Sequence, residues 1–184
     1  MKRTTRIGVT ALSSMLLAGA MTGGLTVGAG SAAAAEAAAF RKAPPAPCTH
    51  SQLVANSAHR IGSVQVKVTV VNEGPEPCML KGFPTVALAG LGSPQKNKPL
   101  GVMAQGTATP VQLAVGGRAS TQLTFTPVLG EAGGYCASGV EPSVAPTIVV
   151  GVAGGWQQLA PDDGGDFALC GNTVRATAFG AAGS

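Results

Sequence analysis

Four cysteines, Cys48, Cys78, Cys136 and Cys170, are the residues of this chain best suited to covalent chemistry. None belongs to a Cys-x-x-Cys pair and their spacings are wide, which argues against a metal centre and for two disulfides in an oxidising compartment. His50 and His59 stand nine residues apart, and a metal would need further ligands converging on them. They read as two surface histidines. Asp162, Asp163 and Asp166 carry oxygens suited to calcium, but their spacing lacks the alternation and closing glutamate of an EF-hand loop. A solvated turn is expected there. Glu73 and Glu76 share a proline-rich turn, Glu131 and Glu141 flank loops, and nothing pairs them across a cleft as glycoside hydrolysis requires. Gly92-Ser93-Pro94 is not a Gly-x-Ser-x-Gly elbow. Gly151-Val152-Ala153-Gly154-Gly155 lacks the spacing and following helix of a dinucleotide fingerprint. With one tryptophan, Trp156, and one tyrosine, Tyr135, stacking platforms are thin and packing roles are expected for both. The chain is therefore read as not an enzyme, with no cofactor and no required metal.

The elements that would position these residues start after a leader. Lys2, Arg3 and Arg6 precede an uncharged run from Ile7 to about Val27, then small residues to Ala35. Basic start, apolar middle and small-residue exit make residues 1–35 a secretory signal of the general route, with cleavage expected before Glu36. An uncleaved anchor is the alternative, weakened by the Gly, Thr and Ser content of the run. Residues 36–47, with Pro44, Pro45 and Pro47, have the composition of a flexible tether. Residues 48–184 then form one domain. Three of the twelve basic residues belong to the leader, so the mature chain has nine against eight acidic residues and a net charge of +1. That excludes the electrostatic argument for nucleic acid.

Within the domain, Val64, Val66, Val68 and Val70 alternate with Gln65, Lys67 and Thr69, the period of a half-buried strand. Asn72 to Pro77 follows as a turn. Ala119, Thr121, Leu123 and Phe125 alternate likewise, and Gly116-Gly117 predicts a hairpin joining this strand to Val111–Val115. Thr147 to Val152 is a continuous apolar run, turned at Gly154-Gly155 into Trp156–Leu159. Val174 to Phe179 alternates again. Short strands between Gly/Pro turns, with no helical stripe, predict an all-β fold: an immunoglobulin-like antiparallel β-sandwich of about seven to nine strands with two disulfides. Of three connectivities, Cys48–Cys78 and Cys136–Cys170 are expected, because each pair brackets one predicted hairpin.

Several motifs carry a resemblance. Val70-Val71-Asn72-Glu73-Gly74 followed by Pro77-Cys78-Met79-Leu80-Lys81-Gly82-Phe83-Pro84-Thr85-Val86 resembles the core of the domain of unknown function 4232. Val111-Gln112-Leu113, Gly116-Gly117-Arg118-Ala119, Cys136 and Cys170-Gly171 fall where that family has equivalents, so the likeness covers Cys48 to about Phe179. The resemblance implies an exported actinobacterial β-sandwich with no established activity. The lipid-attachment cysteine of many relatives is missing here, which removes that tether.

The functional expectation is a secreted, non-catalytic module that binds a protein or a cell-envelope component, with no nucleic acid and no membrane span in the mature form. A secreted hydrolase with a loop-built site and a structural or stress-related envelope protein are the alternatives. Lys96 and Lys98 are the candidate binding residues: they lie in the irregular Gly90–Pro99 stretch, with no acid between Val86 and Gly130. Oligomeric state is not readable from these residues.

Overall fold

The computed structural model describes residues 43–130 and 133–182, and the expected signal and residues 36–42 of the tether lie outside them. Thirteen strands follow one another: β1 (Leu53–Arg60), β2 (Gln65–Asn72), β3 (Cys78–Leu80), β4 (Thr85–Ala89), β5 (Lys98–Gln105), β6 (Val111–Leu113), β7 (Arg118–Phe125), β8 (Ser143–Ala145), β9 (Thr147–Val152), β10 (Gly155–Leu159), β11 (Phe167–Leu169), β12 (Thr173–Thr177) and β13 (Gly180–Ala181). The alternating runs become half-buried strands. In β2, Val66, Val68 and Val70 face the core; in β7, Ala119, Thr121, Leu123 and Phe125 do so. The apolar run of β9 is buried on both faces from Thr147 to Val150. Among the described residues no helix is long and apolar enough to cross a membrane.

Nine strands form one sheet in the order β1-β2-β7-β12-β5-β4-β9-β10, with β13 added beside β7. Strand β5 turns the corner: Leu100 and the residues before it pair with β4, whereas Gly101 to Gln105 pair with β12. Pro99 is tolerated because β12 does not reach it, so its missing N–H interrupts no ladder on that side. One buried core cluster joins Val68, Leu123 and Val174 of β2, β7 and β12 with Val86, Ile148 and Val150 of β4 and β9. The end strands then approach one another. Ala55 N–H donates to Gln157 Oε1 at 2.7 Å and Gln157 Nε2 donates to the Leu53 carbonyl at 2.6 Å, so one side-chain amide of β10 serves the exposed edge of β1. Covering an edge in this way removes a template for aggregation.

Three expectations need correction. The strands number thirteen among the described residues rather than seven to nine, because β3, β6, β8, β11 and β13 are two or three residues long and too short to show a period. The sheet is not wholly antiparallel, since β12 runs parallel to β5. The Gly116-Gly117 hairpin does not form: β6 pairs with β3, and Gly116 and Gly117 instead bond the backbone of Asn72 at 2.7 and 2.9 Å. The late turn also sits one residue earlier. Its central residues are Ala153 (φ 49°) and Gly154 (φ 80°), both left-handed as a type I′ turn demands.

The bonds Cys48–Cys78 and Cys136–Cys170 have Cα separations of 4.8 and 5.6 Å. The first ties the start of the domain to β3, beside the antiparallel β1–β2 pair. The second ties the long connection after β7 to the end of β11.

Candidate functional site

Strands β10, β9 and β4 stand side by side, and their register lays out rows on the outer face. Trp156 lies opposite Gly151, which lies opposite Thr85; in the next row Gln158, Val149 and Ala87 are followed by Pro99 of β5. Period two sends Val86, Ile148 and Val150 inward and leaves small residues outside. Ala87, Ala89 and Val149 form a separate apolar cluster on that side. Above them a groove of about 180 Å³ is lined by Thr85, Ala87, Asn97, Pro99, Val149 and Trp156, with no charged side chain. Trp156, expected to pack, is instead 53% exposed, because its cross-strand neighbour is a glycine and the next row is small. Tyr135, given the same expectation, is 61% exposed.

The far end of the groove is held by a hydrogen-bond chain. Gln158 Nε2 donates to the Gly90 carbonyl at 2.6 Å and to Thr147 Oγ1 at 2.7 Å, and Thr147 Oγ1 donates to the Ala89 carbonyl at 2.7 Å. These bonds anchor the start of the Gly90–Asn97 loop against the sheet. Within the loop, Asn97 Nδ2 donates to the Pro94 carbonyl at 2.7 Å. Asn97 therefore stands as a fixed amide on the wall opposite Trp156. It also borders a second depression of about 360 Å³, lined by Lys96, Lys98, Leu88, Ser143 and Val144. Lys98 Nζ donates to Ser143 Oγ at 3.1 Å, while Lys96 is exposed. The two candidate lysines line this second depression, which shares Asn97 with the tryptophan groove, and the groove itself is what the sequence reading missed. The signal available was Trp156 facing a glycine across a predicted hairpin.

The remaining candidate residues are used locally. His59 Nδ1 and the Asp162 carboxylate are hydrogen-bonded, and Arg60 Nε donates to Asp163 Oδ2 at 2.6 Å. Arg60 also lies over the Phe167 ring, 5.6 Å from its centroid, and its Nη2 donates to the Asp166 carbonyl at 3.0 Å. Asp162 is held below the ordinary carboxylate range chiefly by His59, then by the Arg60 backbone N–H. Asp163 is held below it chiefly by the Arg60 side chain, then by the Gly165 N–H. The acidic turn is thereby bolted to the end of β1. His50 packs on the backbone of Gly155, where a Cβ would come within 2.4 Å of the His50 Cβ. Glu73, Glu76 and Glu141 are exposed in connections, and Glu131 lies outside the described residues. Among the described residues no three His, Cys, Asp or Glu side chains gather as metal ligands.

Asn72 is the residue whose role the sequence reading left unassigned. It is fully buried, and its Nδ2 lies 2.9, 3.3 and 3.2 Å from the carbonyls of Glu76, Leu113 and Ala114, while its Oδ1 accepts from Gly74 N–H at 3.1 Å. A Cβ on Gly74 would come within 2.7 Å of the Gln52 side chain, so any larger residue there has to displace Gln52. The Asn-x-Gly motif is a clasp between the β2–β3 turn and the segment after β6, not a reactive centre.

Among curated proteins and solved structures, nothing matches the chain. Residues 48–180 match the family described as Domain of unknown function (DUF4232). The stretch holds both disulfides, the Asn72 clasp, the tryptophan groove and the neighbouring lysines, and over it the chain belongs to that family.

Proposed function

We propose that the protein is exported by the general secretory route and acts there as a non-catalytic module that binds a component of the cell envelope. Its frame has two sheet halves facing each other across the core, in the manner of an immunoglobulin-like sandwich, and presents the outer face of β5, β4, β9 and β10 to the partner. The observation that carries this reading is Trp156. A half-exposed indole beside an uncharged groove with an apolar floor offers a hydrophobic anchor that the fold does not use for its own core. At about 180 Å³ the groove is smaller than the roughly 300–1,000 Å³ of sites that enclose a small-molecule substrate. It suits one ring or side chain of a larger partner. Lys96 and Lys98, in the neighbouring depression, add a weak attraction for anions, screened over about 10 Å at 0.1 M salt.

Sedimentation of the protein with isolated cell walls tests the reading. Trp156→Ala is expected to leave the melting temperature nearly unchanged and to lower the sedimented fraction at every salt concentration. Lys96→Glu/Lys98→Glu is expected to lower it at low salt only. Sedimentation of both variants equal to the parent protein removes this face from binding.

A further inference from the structure

The opposite half of the sheet has its own outer face, formed by β1, β2, β7, β12 and the second half of β5. Cross-strand register places Gln65, Thr124, Arg175 and Met103 in one row, with Lys67 opposite Gln122 and Thr69 opposite Ser120 in the rows beside it. Arg118, opposite Val71, lies farther along the same face. Three cations thus stand on it: Lys67, Arg118 and Arg175. None of them forms an ion pair among the described residues, where the only two pairs are His59–Asp162 and Arg60–Asp163. Among the described residues the carboxylates are kept elsewhere. Glu73, Glu76, Glu141, Asp162, Asp163 and Asp166 all lie in connections between strands, and the one nearest this face, Asp162, is engaged by His59. Among the described residues, the strands of this face therefore carry cations and no carboxylate.

A cleft opens on that face. It measures about 470 Å³ and is lined by Arg175, Thr124, Thr126, Thr173, Met103 and Pro127, with Val64 and Phe125 completing it. One guanidinium, three hydroxyls and one exposed thioether make up its chemistry, and no acid lines it among the described residues. Arg presents a planar fork of donors that matches a carboxylate. Threonine hydroxyls both donate and accept, as neighbouring sugar hydroxyls do. Met103, 53% exposed, offers a soft apolar surface to the C–H side of a ring.

We propose that this face binds an acidic polysaccharide, with the carboxylate of one uronic-acid residue on Arg175 in the cleft and further residues of the polymer passing Lys67 and Arg118. From strand spacing, Lys67 stands about 12 Å from Arg175 and about 14 Å from Arg118 between Cα atoms. Those separations exceed the screening length of about 10 Å at 0.1 M salt, so the cations act almost independently and reward a ligand carrying many charges. Between them Gln65, Thr69, Ser120, Gln122 and Thr124 outnumber the cations. That ratio fits a polymer with several hydroxyls for each negative charge rather than a lipid headgroup surface. The aromatic side chains here are Phe125, buried at the edge of the cleft, and His59, opposite Lys67 and held by Asp162, so among the described residues no exposed Phe, Tyr or Trp stands on this face for nucleobases to stack on. The proposal stands independently of the Trp156 groove, which lies on the other half of the sheet.

The test is affinity of the purified full-length protein for polygalacturonate at 0.05 and 0.2 M salt, with dextran, anionic phosphatidylglycerol vesicles and oligothymidylate as competing probes. Polygalacturonate is expected to bind, more weakly at high salt, and dextran to bind far less. Arg175→Gln is expected to weaken binding about fivefold, and Lys67→Gln/Arg118→Gln/Arg175→Gln at least about tenfold. Thr173→Val keeps every charge and is expected to weaken binding while leaving its salt dependence unchanged. Lys96→Gln/Lys98→Gln, on the other face, is expected to bind as the parent does. Each exposed substitution is checked by its melting curve. Absence of polygalacturonate binding, parental affinity in the triple variant, or tighter binding of vesicles or oligothymidylate than of polygalacturonate overturns the proposal.

Discussion

At the scale of the residue, Asn72 shows how one buried amide joins two turns that are distant in sequence. Its Nδ2 reaches carbonyls on both sides of the clasp, and its backbone pairs with Gly116 and Gly117. Deleting such a side chain leaves several buried acceptors unpaired, and each unpaired buried group costs about 1–3 kcal/mol. Asn72→Ala is therefore expected to destabilise the domain by about 3 kcal/mol, measured by urea denaturation with an unchanged slope. Asn72→Asp keeps the shape but replaces the donating NH2 with an acceptor facing three carbonyls, so it is expected to be no less damaging. A loss below about 1 kcal/mol in either variant refutes the clasp. Ala153 is the local exception: it holds a left-handed conformation that favours glycine, next to Gly154, which holds it freely.

Elements are held where their edges would otherwise stay open. Gln157 serves the edge of β1 from β10, and the acidic turn after β10 is bolted to the end of the same strand by His59 and Arg60. Both aspartates of that bolt have depressed values in the folded state, so the stability they contribute is present above the ordinary carboxylate range and is lost as pH falls through the folded values. Thermal melting followed downward from pH 5 is expected to show a fall that Asp162→Asn/Asp163→Asn flattens. The same double variant is expected to speed amide exchange at the end of β1 and in the 160s turn, leaving β2 and β7 protected. A parental pH profile in the variant shows that the ion pairs contribute nothing measurable, as many exposed pairs do not.

At the largest scale, the described domain is a nearly closed sheet whose long connections are restrained by two covalent bonds. The disulfides close sequence separations of 30 and 34 residues, each worth roughly 3–4 kcal/mol in the chain-entropy model. A domain of this size has a net stability of about 5–15 kcal/mol. Removing both by Cys→Ser substitution is expected to leave the chain largely unfolded at 37 °C. Cys136→Ser/Cys170→Ser alone is expected to lower the melting temperature by roughly 10 °C, read by circular dichroism. A shift of a degree or two places the stability in the core instead.

Composition and pattern by themselves determined that the protein is all-β, has two disulfides and belongs to its family, because alternation, paired cysteines and the Asn-x-Gly and Cys-x-Leu-x-Gly-Phe-Pro motifs are local signals. Strands β2, β7, β9 and β10 were legible for the same reason. Tertiary structure alone decided what those strands touch. The parallel register of β12 on β5, the transfer of β6 from the Gly116-Gly117 hairpin to β3, and the seam closed by Gln157 depend on partners about 30 to 100 residues away, which no local period encodes. The site followed the same division. Lys96 and Lys98 could be singled out because a charge-bearing irregular loop is visible in one stretch of chain. The Trp156 groove and the Arg175 cleft could not, since each is assembled across three or more strands and exists only once side chains from distant segments share a face.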